Sequence, residues 1–477
     1  MMLKKTVRKI VIWTLGGVIG LITAGYLSFL AMMVITENSL MEDAPFHASI
    51  DYRSRKPHEL TLIDEGARSL AARLKIIREA TSQLDLEFFI YELDATSRIV
   101  TQALAAKARE GVKVRILVDF SLAVFKLAPA YAHMLQESGV QVKYYNTASV
   151  MRFFRVQHRT HRKILLGDRN VAIIGGRNIA DDYFDLSHHY NFLDSDLLIR
   201  GPVVAAMQES FDLYWNSPWA LNPADSGWER DTPVISDFLS PSEQDAEVHE
   251  AIARVEADMT THTCNDLHFV TDYPGSGVNY RKVFPAIAAE LELAKTEVIA
   301  ESPYFVLRGD GAAMIRALTG RGVRLNILTN SLKSTDAYYT VAPLLSSLKG
   351  LVQENFTLHT YSGAIPAAYA SIPNRSDRWG VHSKRGVIDE STIMIGTYNI
   401  DPRSANLNSE LMVVCRGNRD LALQMKNNIL ARMKQSHLLL DGTNSPDVDN
   451  LIGDAPWKSV IAMIIAIPVS SMFDFLL

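Results

Sequence analysis

Two stretches of the chain carry histidine, lysine and aspartate in one spacing. His161-Arg162-Lys163-Ile164-Leu165-Leu166-Gly167-Asp168 and His382-Ser383-Lys384-Arg385-Gly386-Val387-Ile388-Asp389 both read HxKxxxxD. A glycine follows each histidine by 14 positions and an asparagine by 17: Gly175 and Asn178 in the first copy, Gly396 and Asn399 in the second. Imidazole is the side chain best suited to nucleophilic or acid–base work near neutral pH. Lysine ammonium and asparagine amide groups are donors for phosphoryl oxygens. Two such sets together supply what phosphodiester chemistry needs: a nucleophile, a proton donor for the leaving oxygen, and donors around phosphorus. This chemistry calls for no metal and no cofactor.

The spacing also says how these groups are held. Residues two apart on an extended chain point to one face, so His161 and Lys163 project together, as do His382 and Lys384. The apolar run then meets a turn at Gly167 to Asn170 and returns through Val171 to Ile174 as a hairpin partner. With Leu166 opposite Val171, His161 faces Gly176 and Asn178 lies just beyond it. The second copy, with Val387 opposite Thr392, brings His382 opposite Thr397. Asp168 and Asp389 complete the signature and are carried as candidate site residues, although their place at the turn suits structural hydrogen bonding.

The elements around these motifs repeat as well. Ala108 to Asp119 (AREGVKVRILVD) and Leu318 to Asn330 (LTGRGVRLNILTN) each read as a helix end, a glycine stop and a buried strand. Earlier strands are expected at Leu84 to Tyr91 and Val298 to Phe305. Strands alternating with helices predict an α/β unit with a mainly parallel sheet, present twice. The expected organisation is a tail at 1–9, a transmembrane helix at 10–36, a linker at 37–60 and a first half at 61–221. A linker at 222–265, a second half at 266–440, a loop at 441–456 and a membrane-interfacial segment at 457–477 follow.

The ends speak for a membrane. Ile10 to Thr36 is 27 residues without a charge, long enough to span a bilayer. Lys4, Lys5, Arg8 and Lys9 precede it, which keeps the tail in the cytoplasm and the body outside. Trp457 to Leu477 is apolar apart from Lys458 and Asp474, with Pro468 within it, and suits the headgroup layer better than a span. The chain has 477 residues, 48% of them hydrophobic, and a net charge of -5. A substantial core is expected, and a general nucleic-acid binder is disfavoured. Cys264 and Cys415 sit in no metal or disulfide spacing and read as buried thiols. Arg152, Phe153, Phe154, Arg155, His158 and Arg159 form a basic segment that suits either an anionic headgroup or a solvated loop. His188 and His189, beside Asp181, Asp182 and Asp185, lack tetrahedral metal spacing and read as a polar loop. Gly275-Ser276-Gly277 reads as a turn.

Together the two HxKxxxxD copies, each with its following glycine and asparagine, resemble the phospholipase D superfamily. Within it the chain is most similar to bacterial cardiolipin synthases, nearest the C-type branch. That narrower likeness rests on Gly175-Gly176-Arg177-Asn178-Ile179 with Tyr183-Phe184, on Glu301-Ser302-Pro303-Tyr304-Phe305, and on Asn399-Ile400-Asp401-Pro402-Arg403-Ser404 running into Asn408-Ser409-Glu410. The resemblance implies two α/β/α halves packed as a pseudo-twofold pair and a phosphohistidine intermediate. It implies His161 as nucleophile, His382 as general acid and base, and Lys163, Lys384, Asn178 and Asn399 on the phosphoryl oxygens. Glu410 and Asp196, each leading an apolar run, are expected to hold the second ring nitrogens. The implied partners are membrane phospholipids, phosphatidylglycerol and phosphatidylethanolamine, with a partner protein left open. Hydrolysis to phosphatidic acid, a superfamily nuclease and a non-catalytic scaffold are the alternatives.

Overall fold

The computed structural model describes residues 13–14, 16–29, 31–32, 51–120, 129–148, 155–223, 242–255, 259–276, 278–348, 351, 354–369, 376, 378–442 and 446–473. In chain order the elements begin with β1 (Asp51–Ser54), β2 (His58–Ile63), α1 (Gly66–Glu79), β3 (Gln83–Phe88), α2 (Ala95–Arg109), β4 (Lys113–Asp119), α3 (Pro129–Glu137) and β5 (Gln141–Tyr145). Then come β6 (Ile164–Gly167), β7 (Val171–Gly175), β8 (Asn191–Leu193), β9 (Asp196–Arg200), α4 (Val203–Trp215), β10 (Ala220–Leu221) and α5 (Glu243–Arg254). The next stretch holds β11 (Thr261–Cys264), β12 (Leu267–Thr271), α6 (Val283–Glu292), β13 (Glu297–Glu301), α7 (Gly309–Gly320), β14 (Arg324–Asn330), α8 (Val341–Leu348) and β15 (Phe356–Tyr361). The chain continues with β16 (Trp379–Val381), β17 (Arg385–Ile388), β18 (Thr392–Gly396), α9 (Pro402–Asn406), β19 (Leu411–Cys415), α10 (Arg419–Met433), β20 (Ser436–Leu440), α11 (Val448–Ile452) and α12 (Trp457–Phe473).

Two nine-stranded sheets carry the two motifs, with orders β10-β5-β4-β3-β6-β7-β9-β2-β11 and β1-β12-β19-β18-β17-β13-β14-β15-β20. Written in opposite directions the orders coincide, so each strand has a counterpart. Only β3-β4-β5 and β13-β14-β15 run parallel. The sheets are therefore mixed rather than mainly parallel, because the motif hairpins and the strands beyond them pair antiparallel. The repeated helix–glycine–strand units appear as read. Gly111 and Gly322 stop α2 and α7 at φ 92° and 83°, a left-handed backbone that glycine adopts without a Cβ penalty. Asp94 starts α2 by accepting from Ser97 N, and the Ser97 hydroxyl accepts from Asp94 N in return.

The outermost strand of each sheet comes from the other half. β1 joins β12 in the second sheet and β11 joins β2 in the first, so stretches expected as linkers contribute sheet edges. A central apolar core, containing Leu166, Ile174, Met207, Phe211, Val387, Ile395, Met425 and Ile429, places α4 and α10 between the sheets. Separate outer cores lie under α1, α2 and α5 and under α6, α7 and α8.

Cys264 and Cys415, expected as free thiols, form a disulfide. They are 151 residues apart, and strand exchange brings the end of β11 against the end of β19, a proximity that spacing along the chain cannot reveal.

No helix among the described residues is long and apolar enough to cross a membrane. Residues 13–14, 16–29 and 31–32 are helical, and the rest of the expected span lies outside the described residues. At the other end α12 runs unbroken through position 468. It buries Met463 in the outer core of the second half and leaves Trp457, Ile461, Ile464 and Ile465 exposed. The segment expected in the headgroup layer thus packs on the second half by one face and presents an apolar face outward.

Candidate active site

Each motif histidine sits just before its hairpin, pinned by a backbone bond to the opposite half. His161 N donates to the Ser409 carbonyl at 2.9 Å and His382 N to the Leu193 carbonyl at 2.9 Å. A parallel bridge between Thr160 and Ser409 and the β16–β8 pair make the same cross-connection. The hairpins themselves are shifted by one from the expected register. Gly167 opposes Val171 and Ile388 opposes Thr392, because a three-residue loop, with φ of 47° at Asp168 and 58° at Arg169, replaces the longer turn.

The structure brings His161, Lys163, Asn178, His382, Lys384, Asn399 and Glu410 into one buried cluster and leaves Asp168, Asp389 and Asp196 outside it. Asp168 sits in the turn and accepts from Thr81 N, Ser82 N and Gln83 N at 2.8–2.9 Å. Asp389 does the same for Lys295 N, Thr296 N and Glu297 N at 2.8–3.0 Å. These carboxylates tie each hairpin to the start of its neighbouring strand and make no hydrogen bond to a histidine among the described residues. This corrects their placement among the catalytic groups.

The acceptor for His382 is Asp194, not Asp196. His382 Nδ1 lies 2.7 Å from Asp194 Oδ2. Asp196 instead binds Arg73 at 2.8 Å and Arg177 at 2.9 Å, both buried. The registers explain the two-residue error. Gly175 opposes Asp196 and Gly396 opposes Met412, so Asp196 corresponds to Met412 and the counterpart of Glu410 is Asp194. The apolar runs after Asp196 and Glu410 look alike but are out of step by two residues, which the strand pairing alone reveals.

His161 Nδ1 is 3.1 Å from both Glu410 carboxylate oxygens and 3.1 Å from the Thr397 carbonyl. Every partner is an acceptor, so Nδ1 carries the proton and Nε2 keeps its lone pair. On the other side the Lys384 ammonium lies 2.9 Å from His382 Nδ1 and 3.1 Å from Nε2, and the Asp194 carboxylate, an acceptor at 2.7 Å from Nδ1, favours the proton on that nitrogen. Each carboxylate thus comes from the half that does not carry its histidine. Thr397 and Ser404 hydroxyls donate to Glu410, and Asp401 caps α9 by accepting from Ser404 N at 2.7 Å. The DPRS segment accordingly supports the carboxylate behind His161. Aromatic edges complete the walls, with Phe89 at 5.3 Å from His161, and Tyr183 and Phe192 at 5.1 and 4.7 Å from His382.

Burial dominates the electrostatics. His161 and His382 are 7% and 5% exposed. Desolvation, then the neighbouring lysines, hold His161 well below the usual imidazole range. Desolvation and Lys384 push His382 down to about 4 against the pull of Asp194. Burial alone brings Lys384 down to about 8, and with Lys384 nearby it holds Lys163 well below the ammonium range. Burial raises Glu410 to about 7. For Asp194 burial opposes ionisation, but His382, Lys384 and Arg177 overcome it and hold the carboxyl well below its usual range. Two depressed lysines beside neutral imidazoles form a site short of negative charge, which an anionic phosphodiester supplies. Asn178 Oδ1 accepts from Ile90 N at 3.0 Å, and its amide donates toward the Tyr183 hydroxyl. The buried Asn399 Oδ1 has no hydrogen-bond partner among the described residues.

A family model described as "Cardiolipin synthase, PLD-like domain" matches residues 74–215 and 287–433, which span both motifs and more than half of the chain. The chain belongs to this cardiolipin synthase, PLD-like family. It is 26% identical over 392 residues to cardiolipin synthase C of Escherichia coli K12, covering 73% of this chain and 79% of that protein. Cardiolipin synthase A of Pseudomonas aeruginosa PAO1 is 27% identical over 362 residues, 75% of this chain and 63% of that one. An uncharacterized protein of Helicobacter pylori J99 is 29% identical over 409 residues, 80% of each chain. Among solved structures, phosphatidylserine synthase of Haemophilus influenzae Rd KW20 superposes with a TM-score of 0.63 at 13% identity, covering 88% of this chain and 95% of that one. This last likeness shows the fold alone.

Other groups singled out in the sequence lie elsewhere. Arg159 is buried and donates to the Phe120 and Asn146 carbonyls at 2.7 and 3.0 Å, so it braces a loop rather than a headgroup. Arg152 to Phe154 lie outside the described residues. His188 Nε2 pairs with Glu247 of α5 at 2.8 Å.

Proposed function

We propose that this chain is a phosphatidyltransferase that makes cardiolipin from phosphatidylglycerol and a second phospholipid, phosphatidylglycerol or phosphatidylethanolamine. The observation that carries the reading is the pair of buried histidines, each with Nδ1 committed to a carboxylate of the opposite half and flanked by Lys163 and Lys384. In this reading His161 Nε2 attacks phosphorus. The phosphorus–oxygen bond to the headgroup alcohol breaks as His382 gives that oxygen a proton. His382 then takes the proton of the incoming phosphatidylglycerol hydroxyl, whose oxygen displaces the phosphatidyl group from His161. Burial, then the Lys384 charge, depress His382; an anionic phosphodiester offsets the second of these and raises His382 toward the imidazolium in the complex. The near-complete burial of both rings favours transfer over hydrolysis, because water has little access to the intermediate.

The test is a product assay with purified protein in mixed micelles of phosphatidylglycerol, with and without phosphatidylethanolamine, read by mass spectrometry beside a His161→Ala control. Cardiolipin that requires His161 supports the reading, and its dependence on phosphatidylethanolamine identifies the donor. Phosphatidic acid alone converts it to hydrolysis. No lipid product under any mixture overturns it.

The same reading anchors the chain in the bacterial cell membrane through residues 10–36, with the catalytic body on the periplasmic side. The Cys264–Cys415 bond supports that side, since disulfides persist in oxidising compartments. The exposed Trp457, Ile461, Ile464 and Ile465 of α12 suit the headgroup layer. An Ile464→Glu/Ile465→Glu chain lacking residues 1–50 is expected to float with anionic vesicles less well than the same chain without these changes. Equal flotation removes α12 from this role.

A further inference from the structure

A cleft of about 1400 Å³ lies on the outer side of the second sheet, away from the first half, bounded by α6 and α7. Val298, Ala300, Met394 and Met412 of the sheet form its floor, and Ile287, Leu291, Met314 and Leu318 of the two helices form its walls. Its volume exceeds the ~300–1,000 Å³ usual for a small-molecule pocket.

The duplication shows how the cleft arises. Leu86 opposes Leu165 across β3 and β6, and at the corresponding place Ala300 opposes Gly386 across β13 and β17. The two leucines fill the outer core of the first half, 0% and 1% exposed. Ala300, in the middle of a central strand, remains partly exposed. A Cβ on Gly386 would meet the Ala300 Cβ and the Ile299 carbonyl oxygen at 3.4 Å, an ordinary contact, so a side chain can begin there without a clash at its first carbon. The second half thus has a hollow where its counterpart is packed.

The hollow borders the segment that carries Asn399. Its lining includes Tyr398 and Ile400, which flank Asn399 on either side, and then Asp401 and Pro402. The exposed Lys282 also lines it. A phosphodiester that reaches the recessed histidines draws the glycerol and the beginnings of its acyl chains out of the bilayer. A largely apolar cleft bordered by Tyr398 and Ile400, the neighbours of Asn399, would receive those methylenes without exposing them to water. We propose that this cleft holds one acyl chain of the phospholipid whose phosphodiester occupies the histidine site. The inference rests on the reading of that site as one that processes phospholipid.

The test restores the leucines of the first half, in Ala300→Leu and in Ala300→Leu/Gly386→Leu, and measures binding without turnover. The probe is cis-parinaric acid, followed by fluorescence and displaced by palmitate, with a thermal melt on each protein. The expected result is palmitate-competed binding to the unaltered chain, weakened about tenfold or more in the double variant, whose melting temperature stays the same or rises. If the double variant does not fold, Ala300→Leu alone carries the test and must weaken binding. Where the chain makes cardiolipin, the filled variants should lose turnover of dioleoyl phosphatidylglycerol and keep that of the dihexanoyl lipid. Absence of probe binding, or unchanged binding in a folded variant, overturns the inference even where cardiolipin is made. A chain that is dimeric and becomes monomeric on filling, with probe binding unchanged, overturns it too and assigns the cleft to a second copy.

Discussion

His161 and His382 have the same kinds of neighbour in unequal electrostatic settings. Asp194 is held ionised, whereas burial raises Glu410 to about 7. Asp194→Asn keeps the shape but no longer enforces the Nδ1–H tautomer of His382, so turnover should fall by roughly 10³–10⁴-fold with little change in melting temperature. Asp196→Asn should do the reverse. It leaves the buried Arg73 and Arg177 without their carboxylate, which costs roughly 3–5 kcal/mol of stability, and a thermal melt beside a rate measurement separates the two variants. The profile of kcat/KM against pH follows from the same groups. Below about 7 Glu410 takes up a proton and no longer favours positive charge on His161. Above about 8 Lys384 loses its charge, which in the proposed reaction steadies the phosphoryl oxygens. Activity should therefore peak between these values, and Lys384→Arg should move only the alkaline limb upward. An unmoved alkaline limb would assign it to another group.

At the scale of elements, the aspartates that complete each motif belong to architecture. Burial of Asp168 opposes ionisation, but the N–H groups of Gln83, Thr81 and Ser82 and the Ser82 hydroxyl outweigh it and hold the carboxyl well below 3.8. With the folded value depressed, this contribution is full above the ordinary carboxylate range and is lost as pH falls toward the folded value. Asp168→Ala should cost roughly 1–2 kcal/mol at neutral pH, the scale of a lost helix cap, and leave kcat nearly unchanged in the folded protein. A collapse of kcat with unchanged stability would return Asp168 to the chemistry. The hairpins were legible because the apolar alternation and the turn residues agree. Their register was not, because a left-handed conformation at Asp168 and Arg169 cannot be told from a longer turn by residue type. His161, Lys163, Asn178 and their second copies were legible because the spacing occurs twice. Asp194 was hidden because its counterpart, Glu410, follows a connection of different length.

At the scale of the molecule, little holds the halves apart and much holds them together. Edge strands are exchanged, each histidine leans on a carboxylate from across the boundary, and Asp64 of the first half pairs with Arg385 and Arg432 of the second. Cys264 and Cys415 close a loop of 151 residues, where a crosslink is worth roughly 2–4 kcal/mol. Cys264→Ser/Cys415→Ser should lower the melting temperature, and alkylation after denaturation should find no free thiol in the parent protein. Parent protein that alkylates fully without reductant would remove the bond. Of this interlocking only Glu410 behind a histidine was legible in the sequence; the exchanged edges, the disulfide and the Asp64 pairs join residues that are distant in the chain and unremarkable in type.

The exchanged edge also sets an order in time. β1 pairs with β12, and the other neighbour of β12 is β19, whose last residue, Cys415, is made roughly 360 residues after Ser54. At ~5–20 residues per second of synthesis that interval is roughly 20–70 s. Throughout it the first strand to be made has no sheet to join, while the half that follows it in the chain must close its own edge with β11. Until β19 is made the growing chain therefore carries an unsatisfied strand, free to adhere to any foreign sheet edge it meets.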